Sequence, residues 1–343
     1  ITTATRQRVL ETINELNYVP NRIASSMITK NTYTIGLVIP DITNPFFPEV
    51  ARGVEDYANQ AGYHVVLCNS DNNLKKESTY IYMLQEKMVD GIIITSSTSS
   101  VREESARNYM KIGIPIITVD RDMKDFKTQG KILVDNTKGA FEAVSYMIEK
   151  GYKKILHLSG SMNSTPSIQR FEGYNNALKY HNIDFNPDLY LEGTYDVEWG
   201  YEGIKKIMDK KIDFDSVFCG NDLIAIGAMK AIKELGLRIP EDIGIMGFDN
   251  IYIAGVVTPS LSTVNQPNYK MGYKAAELLI NFIKNPSKPD DEVVLETELI
   301  IRESTLWFSL STIVKRLPYF ELKENASNNL WGEILYEKNI GNR

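Results

Sequence analysis

The chain has 343 residues, 43% of them hydrophobic and 24% charged, with a net charge of −6. That length and balance provide for two lobes with cores of their own, and no apolar run approaches the roughly 20 residues of a bilayer-spanning helix. The negative balance excludes general affinity for nucleic acid, and the two cysteines, Cys68 and Cys219, end apolar runs in different halves of the chain and read as buried thiols of a reducing cytoplasm, not as a disulfide.

Charge is unevenly spread. Residues 1–30 carry Arg6, Arg8, Arg22 and Lys30 against Glu11 and Glu15, a net +2, which leaves −8 for the remainder. Phosphate binding depends on local positive charge, so a basic head on an acidic body is compatible with DNA. A charged helical pattern stands where the apolar core of a secretory signal would stand, so a cytoplasmic location with no membrane partner is expected. Thr2 or Thr3 caps a helix running to about Asn17, with Val9, Ile13 and Leu16 on one face. Pro20 in "NYVPN" stops it. "NRIASSMITK" allows two helical turns, too short to persist alone in water.

From Tyr33 the pattern changes. "YTIGLVIP", "YHVVLC", "GIIIT" and "PIITV" read as buried strands, separated by the helices "NPFFPEVARGVEDYANQAG", "LKKESTYIYMLQEKM" and "VREESARNYMKIG". The alternation repeats through "KKILHLS", "IQRFEGYNNALKYH", "LYLEG", "WGYEGIKKIMDK", "SVFCG", "DLIAIGAMKAIKELG" and "DIGIMGF". Apolar runs of about five residues alternating with helices mean parallel, doubly wound sheets, here in two series and hence two similar α/β lobes. Ligands of such sheets bind beyond the carboxyl ends of the strands, and two facing lobes turn that site into an interlobe cleft.

Enzyme signatures are missing: there is no GxxxxGK[ST], GxSxG or HExxH, and His64, His157 and His181 are too scattered for a metal cluster or a general base. A non-enzymatic chain without cofactor or metal is expected. Polar and aromatic residues instead follow the strands: Asn44, Phe46 and Phe47 after the first, Ser96 after "GIIIT", Asp120 and Arg121 after "PIITV", and Arg170 beyond "LHLSG". Tyr195, Asn221, Phe248, Asp249 and Gln266 continue the series. Each has a plain structural reading. Asn44 and Asn221 suit helix caps, Asp249-Asn250 a turn, Phe46 and Phe47 a core, and Arg170 a solvated helix face. Taken together they offer paired acceptors, forked donors and flat apolar faces, with two carboxylates cancelling two guanidiniums. A neutral polyol with apolar C–H faces, a monosaccharide, fits that set.

These residues carry a resemblance. "TRQRVLETINELNYVPNRIASSM", "TIGLVIPDITNPFF", "VDNTKGAFEAVSYMIEKGYKKI", "QRFEGY", "GNDLIAIGAM", "GFDN", "LSTVNQPNYKMG" and "LIIREST" are similar to the LacI/GalR family of bacterial transcription regulators, whose body is shared with periplasmic sugar-binding proteins, over about residues 1–305. The resemblance implies a periplasmic-binding-protein-like type I fold preceded by a remnant all-α headpiece. Residues 1–20 would be the third helix of a helix-turn-helix module whose recognition helix lies before Ile1, and 21–32 the hinge helix and linker. The lobes would be 33–134 plus 267–288, and 135–266 plus 289–305. Residues 306–343 form an atypical tail. In the family the hinge helices enter the minor groove of operator DNA and wedge it open. That carries over to Asn21, Arg22, Ala24, Ser25 and Met27, with Met27 as the wedge and Ser25 where the family usually has Arg. The cleft residues resemble the ribose-binding type best, with Ser96 departing from the family's Asn and Tyr195 from its Phe. The implied protein is a homodimeric regulator that occupies a pseudo-palindromic operator and is controlled by a sugar effector. Two rivals are a catabolite-control regulator with a phosphorylated phosphocarrier protein as corepressor, and a transport receptor.

Overall fold

The computed structural model describes residues 2–16, 31–97, 113–123, 128–286 and 291–306. The hinge segment with Asn21, Arg22, Ala24, Ser25 and Met27, the helix expected from "VREESARNYMKIG" and all but the first residue of the tail fall outside them.

Helix α1 (Thr3–Glu15) begins as its sequence directs: the Thr2 hydroxyl accepts from the Thr5 amide at 3.3 Å. None of its residues is buried.

The first sheet contains β1 (Thr34–Ile39), β2 (His64–Asn69), β3 (Gly91–Ile94), β4 (Ile116–Val119), β5 (Gly130–Val134) and β11 (Asp291–Leu295), in the order β2-β1-β3-β4-β5-β11, every pairing parallel. Its central strands are apolar at successive positions because both faces are covered. Leu37, Ile39 and Ile93 pack in one cluster with Val50 and Val54 of α2 (Phe46–Gln60) and with Ala276 and Leu279 of α8 (Asn268–Lys284). Val38, Ile92 and Ile94 join Ile81 and Leu84 of α3 (Leu74–Glu86) in another. Helices α2 and α8 touch backbone to backbone: a Cβ on Gly53 would strike the Tyr269 carbonyl, and one on Gly272 the Val50 carbonyl.

The second sheet repeats the plan with β6 (Ile155–Ser159), β7 (Tyr190–Glu192), β8 (Ser216–Cys219), β9 (Gly244–Asp249), β10 (Ser262–Asn265) and β12 (Glu298–Ile300), ordered β7-β6-β8-β9-β10-β12. Only β12 is antiparallel to its neighbour. Helices α4 (Asn136–Glu149) and α5 (Thr165–Tyr180) cover one face through Val144, Met147, Tyr174 and Ala177. Ile204 and Ile207 of α6 (Val197–Asp209) and Ile224 and Ala228 of α7 (Asp222–Glu234) cover the other. Cys68 and Cys219 are buried free thiols in different sheets.

The chain passes between lobes at 135, at 266–267 and at 296–297. The third crossing departs from the expectation of a crossing near 288 with 289–305 in the second lobe, because Asp291–Leu295 extends the first sheet with Leu295 opposite Val134. Only Leu295 of that edge strand is buried, so "DEVVL" lacks the two-sided apolar run that marks central strands.

Candidate functional site

In the first sheet the strand order reverses direction between β1 and β3, and in the second between β6 and β8. Connections leave on opposite sides at such points, which opens a crevice beyond the carboxyl ends. The crevices of the two lobes form one cavity of about 410 Å³. The first lobe contributes Asn44, Phe46, Phe47, Asp120 and Arg121. The second contributes Arg170, Tyr195, Asn221 and Asp249, and the crossing segment adds Gln266. Ten of the twelve residues expected at the site thus line one space.

Ser96 and Phe248 do not. Ser96 is fully buried and donates its hydroxyl to Glu77 at 2.9 Å; its neighbour Ser97 also donates to Glu77, at 2.6 Å, but lines the cavity. Phe248 lies beneath Arg170, whose guanidinium carbon sits 3.7 Å from the ring centroid. The ring therefore supports a cleft residue from behind.

Several plain readings coexist with cleft placement. Asn221 caps α7, accepting from the Ile224 amide at 2.9 Å, and Asn44 accepts from the Phe46 amide at 3.1 Å. The solvated-helix reading of Arg170 does not hold, since it is 3% exposed. Its Nε donates to Asn136 Oδ1 at 2.8 Å, its Nη1 donates to the Gly220 carbonyl at 2.5 Å, and Asp249 Oδ1 lies 3.5 Å away. Arg121 Nη1 donates to Asn72 Oδ1 at 3.2 Å and to the Ser96 carbonyl at 3.0 Å. Tyr195 packs over Gly160, where any Cβ would collide with the ring, and its hydroxyl is 2.6 Å from Ser167 Oγ. With the hydroxyl engaged inside the lobe, Tyr195 offers the cavity mainly an aromatic face.

Backbone strain marks the two buried carboxylates that line the cavity, Asp120 and Asp249. Asp120 has φ 67°, Asp249 φ 107° and Asn250 φ 55°, conformations that side chains with a Cβ resist. The turn after β9 is held by its surroundings: buried Asp222 accepts from the Ile251 amide at 2.8 Å, and Asn250 donates to Asn265 and accepts from Arg302. Gln266 Nε2 donates to Asp249 Oδ1 at 2.7 Å.

Burial pushes the Asp249 carboxyl up to about 7, against the pull of Arg170 and with a further push from Asp120. The Asp120 carboxyl is also raised by burial, opposed by Arg121 and Arg170. Asp120 Oδ1, Arg121 Nε, Ser164 Oγ and Gln266 Oε1 are buried with no hydrogen-bond partner among the described residues. Such atoms are costly to leave unmatched.

The rim of the cavity is built from loop residues that no strand-end pattern marks. Asp41, Asp71 and Asp196 also face the cavity, with Asn72, Ser161, Asn163 and Thr194. Carboxylates therefore outnumber guanidiniums five to two, which replaces the expected two-against-two balance. Lys76 engages Asp71 at 2.5 Å. The strand-end rule that found Asp120 does not say how far along a loop the cavity reaches. His157 lies outside the site, stacked on Phe218 and Tyr174, and burial holds its imidazole down to about 4 and hence neutral. No group of three or more potential metal ligands occurs among the described residues, and no helix among them is long and apolar enough to cross a membrane.

Comparisons with known proteins agree with this architecture. The family described as periplasmic binding proteins and sugar binding domain of LacI family matches residues 32–303. The "HTH-type transcriptional regulator RegA" of Clostridium saccharobutylicum is 36% identical over 303 residues, covering 88% of this chain and 90% of that protein. The "Ribose operon repressor" of Halalkalibacterium halodurans is 36% identical over 299 residues, 87% of each chain. The crystal structure of a LacI family transcriptional regulator from Enterococcus faecium with bound ribose superposes with a TM-score of 0.70 at 30% identity, covering 79% of this chain and 98% of that one. With two doubly wound lobes, a shared cleft and a match over most of its length, the chain belongs to the family of periplasmic binding proteins and LacI-type sugar-binding domains.

Proposed function

We propose that the chain is a LacI-type transcription regulator, working as a homodimer on operator DNA and controlled by a small neutral sugar in the cleft, with a pentose such as ribose the leading effector. The observation that carries this reading is the set of buried polar atoms on Asp120, Arg121 and Gln266 that have no hydrogen-bond partner among the described residues, around one cavity framed by Phe46, Phe47 and Tyr195; Arg121 Nε has only the Asp120 carboxylate nearby, 3.8 Å away. Hydroxyls match such donors and acceptors, and the C–H faces of a sugar ring match the aromatic walls. The acidic rim disfavours sugar phosphates and other anions. The ribose-bound structure among the similar proteins supports the pentose assignment.

The mechanism is linkage. Effector that binds one lobe angle better than another shifts that equilibrium, and DNA bound to the same dimer alters effector affinity reciprocally. A thermal-shift panel of pentoses, hexoses, nucleosides and sugar phosphates at millimolar concentration tests this reading. A ligand at about 100 times its Kd stabilises the fold by about 2.7 kcal/mol. A shift with a neutral sugar supports the reading. Silence across the panel removes it and leaves the phosphorylated phosphocarrier protein as the regulator to test.

A further inference from the structure

A residue outside the cavity is hydrogen-bonded to the backbone of Asp249. Asn268 opens α8 and is 3% exposed. Its side-chain Nδ2 donates in two directions: to the backbone carbonyl of Asp249 at 3.3 Å, and to Glu49 Oε2 at 3.1 Å. The first acceptor ends β9 in the second lobe, while the second lies on α2 in the first lobe, three residues after Phe46 and two after Phe47. One amide group therefore joins the lobes immediately beside the crossing at 266–267.

The join is stiff on the first-lobe side. Backbone contact at Gly53 and Gly272 makes α2 and α8 a single block, so Asn268, Glu49, Phe46 and Phe47 move together. On the other side, Asp249 holds φ 107°, and its carbonyl accepts from the Gln266 backbone amide at 3.5 Å as well as from Asn268 at 3.3 Å. Gln266 holds the carboxylate of the same residue. Asp249 is thus held by three hydrogen bonds from the crossing, one from the Gln266 side chain to its carboxyl and two, from the Gln266 amide and the Asn268 side chain, to its backbone carbonyl.

We propose that Asn268 is a positioning residue of the cleft: it sets the orientation in which Asp249 meets an effector and links that orientation to the helix carrying the aromatic wall. The inference rests on the effector reading above. It makes effector affinity depend on a side chain that does not touch the effector.

The test is a double-mutant cycle on effector binding, measured calorimetrically with the sugar that shifts the wild-type chain. Asn268→Ala is expected to weaken binding about tenfold, the scale of one lost buried hydrogen bond. In an Asp249→Ala background, titrated at correspondingly higher sugar concentration, the same change is expected to weaken binding by less than about twofold, because no carboxyl is left to position. A merely structural role would reduce affinity equally in both backgrounds, and that result overturns the proposal, as does unchanged affinity for Asn268→Ala. If Asn268→Ala fails to fold, Glu49→Ala removes the anchor from a half-buried site, and a loss confined to the Asp249-containing background is the outcome expected. A wild-type chain that binds no sugar overturns the effector reading itself. A wild-type chain that binds sugar, beside an Asn268→Ala variant that binds as well, overturns only the role of Asn268.

Discussion

Replacing Asp249 by Asn should stabilise the effector-free protein, and the gain should depend on pH in a defined way. The wild-type carboxyl lies at about 7 in the fold against an ordinary 3.8, chiefly because burial disfavours the charged form. A group raised in this way contributes stability that is fully present below the unfolded value and is lost as pH rises through the folded one. Between about pH 4 and 7 the native state binds a proton that the unfolded state has released, so wild-type stability falls across that window. An Asn side chain in its place resembles the protonated acid in shape and charge but does not titrate. The advantage of the Asp249→Asn variant should therefore grow from near zero at about pH 4 towards a ceiling of about 4 kcal/mol near pH 7 and then level off. Each kcal/mol corresponds to roughly 2–4 °C in Tm for domains of this size class. Denaturant titrations of both proteins on either side of that window, and within it, measure the difference. A difference that is flat with pH, or a variant that loses stability as pH rises, would show that Arg170 outweighs burial and that the carboxylate is ionised and paired throughout.

The same ionisation bears on binding. Sugar hydroxyls donate to a carboxylate, so effector affinity should rise between about pH 6 and 8 as Asp249 ionises, with proton release visible by calorimetry in buffers of different ionisation enthalpy; equal affinity at both ends would argue against a direct contact. Arg170→Ala should cut effector affinity by more than about 100-fold while the chain remains folded by circular dichroism, because it removes a cleft donor and leaves Asn136 Oδ1 and the Gly220 carbonyl without their partner. Unchanged affinity would remove Arg170 from the site. Gly272→Ala should lower stability by about 1–3 kcal/mol in a denaturant titration, since the added methyl meets the Val50 backbone, which cannot rotate aside; a neutral result would mean that α2 and α8 separate more easily than their contact implies.

Local sequence was enough for the central strands, for the helices between them that the described residues include, and for most of the residues that line the cavity. Strands buried on both faces, such as Thr34–Ile39 and Gly91–Ile94, are apolar at nearly every position, and the geometry of a doubly wound sheet sends whatever follows them to one end. Asn44, Asp120, Arg121, Asn221 and Asp249 could be picked out on that ground because their position depends on strand direction alone. Edge strands were less legible. Asp291–Leu295 buries one residue, so only its pairing with β5 reveals the lobe to which it belongs. Tertiary structure also decided what lies at the cavity wall and what lies behind it. Ser96 and Ser97 are adjacent in the chain and both donate to Glu77, yet Ser97 lines the cavity and the fully buried Ser96 lies behind it. Asn268 offers no local signal at all, because its two partners are 19 and 219 residues away in sequence. Periodicity is a property of neighbouring residues and can be read along the chain; a hydrogen bond that joins two lobes exists only once both have folded.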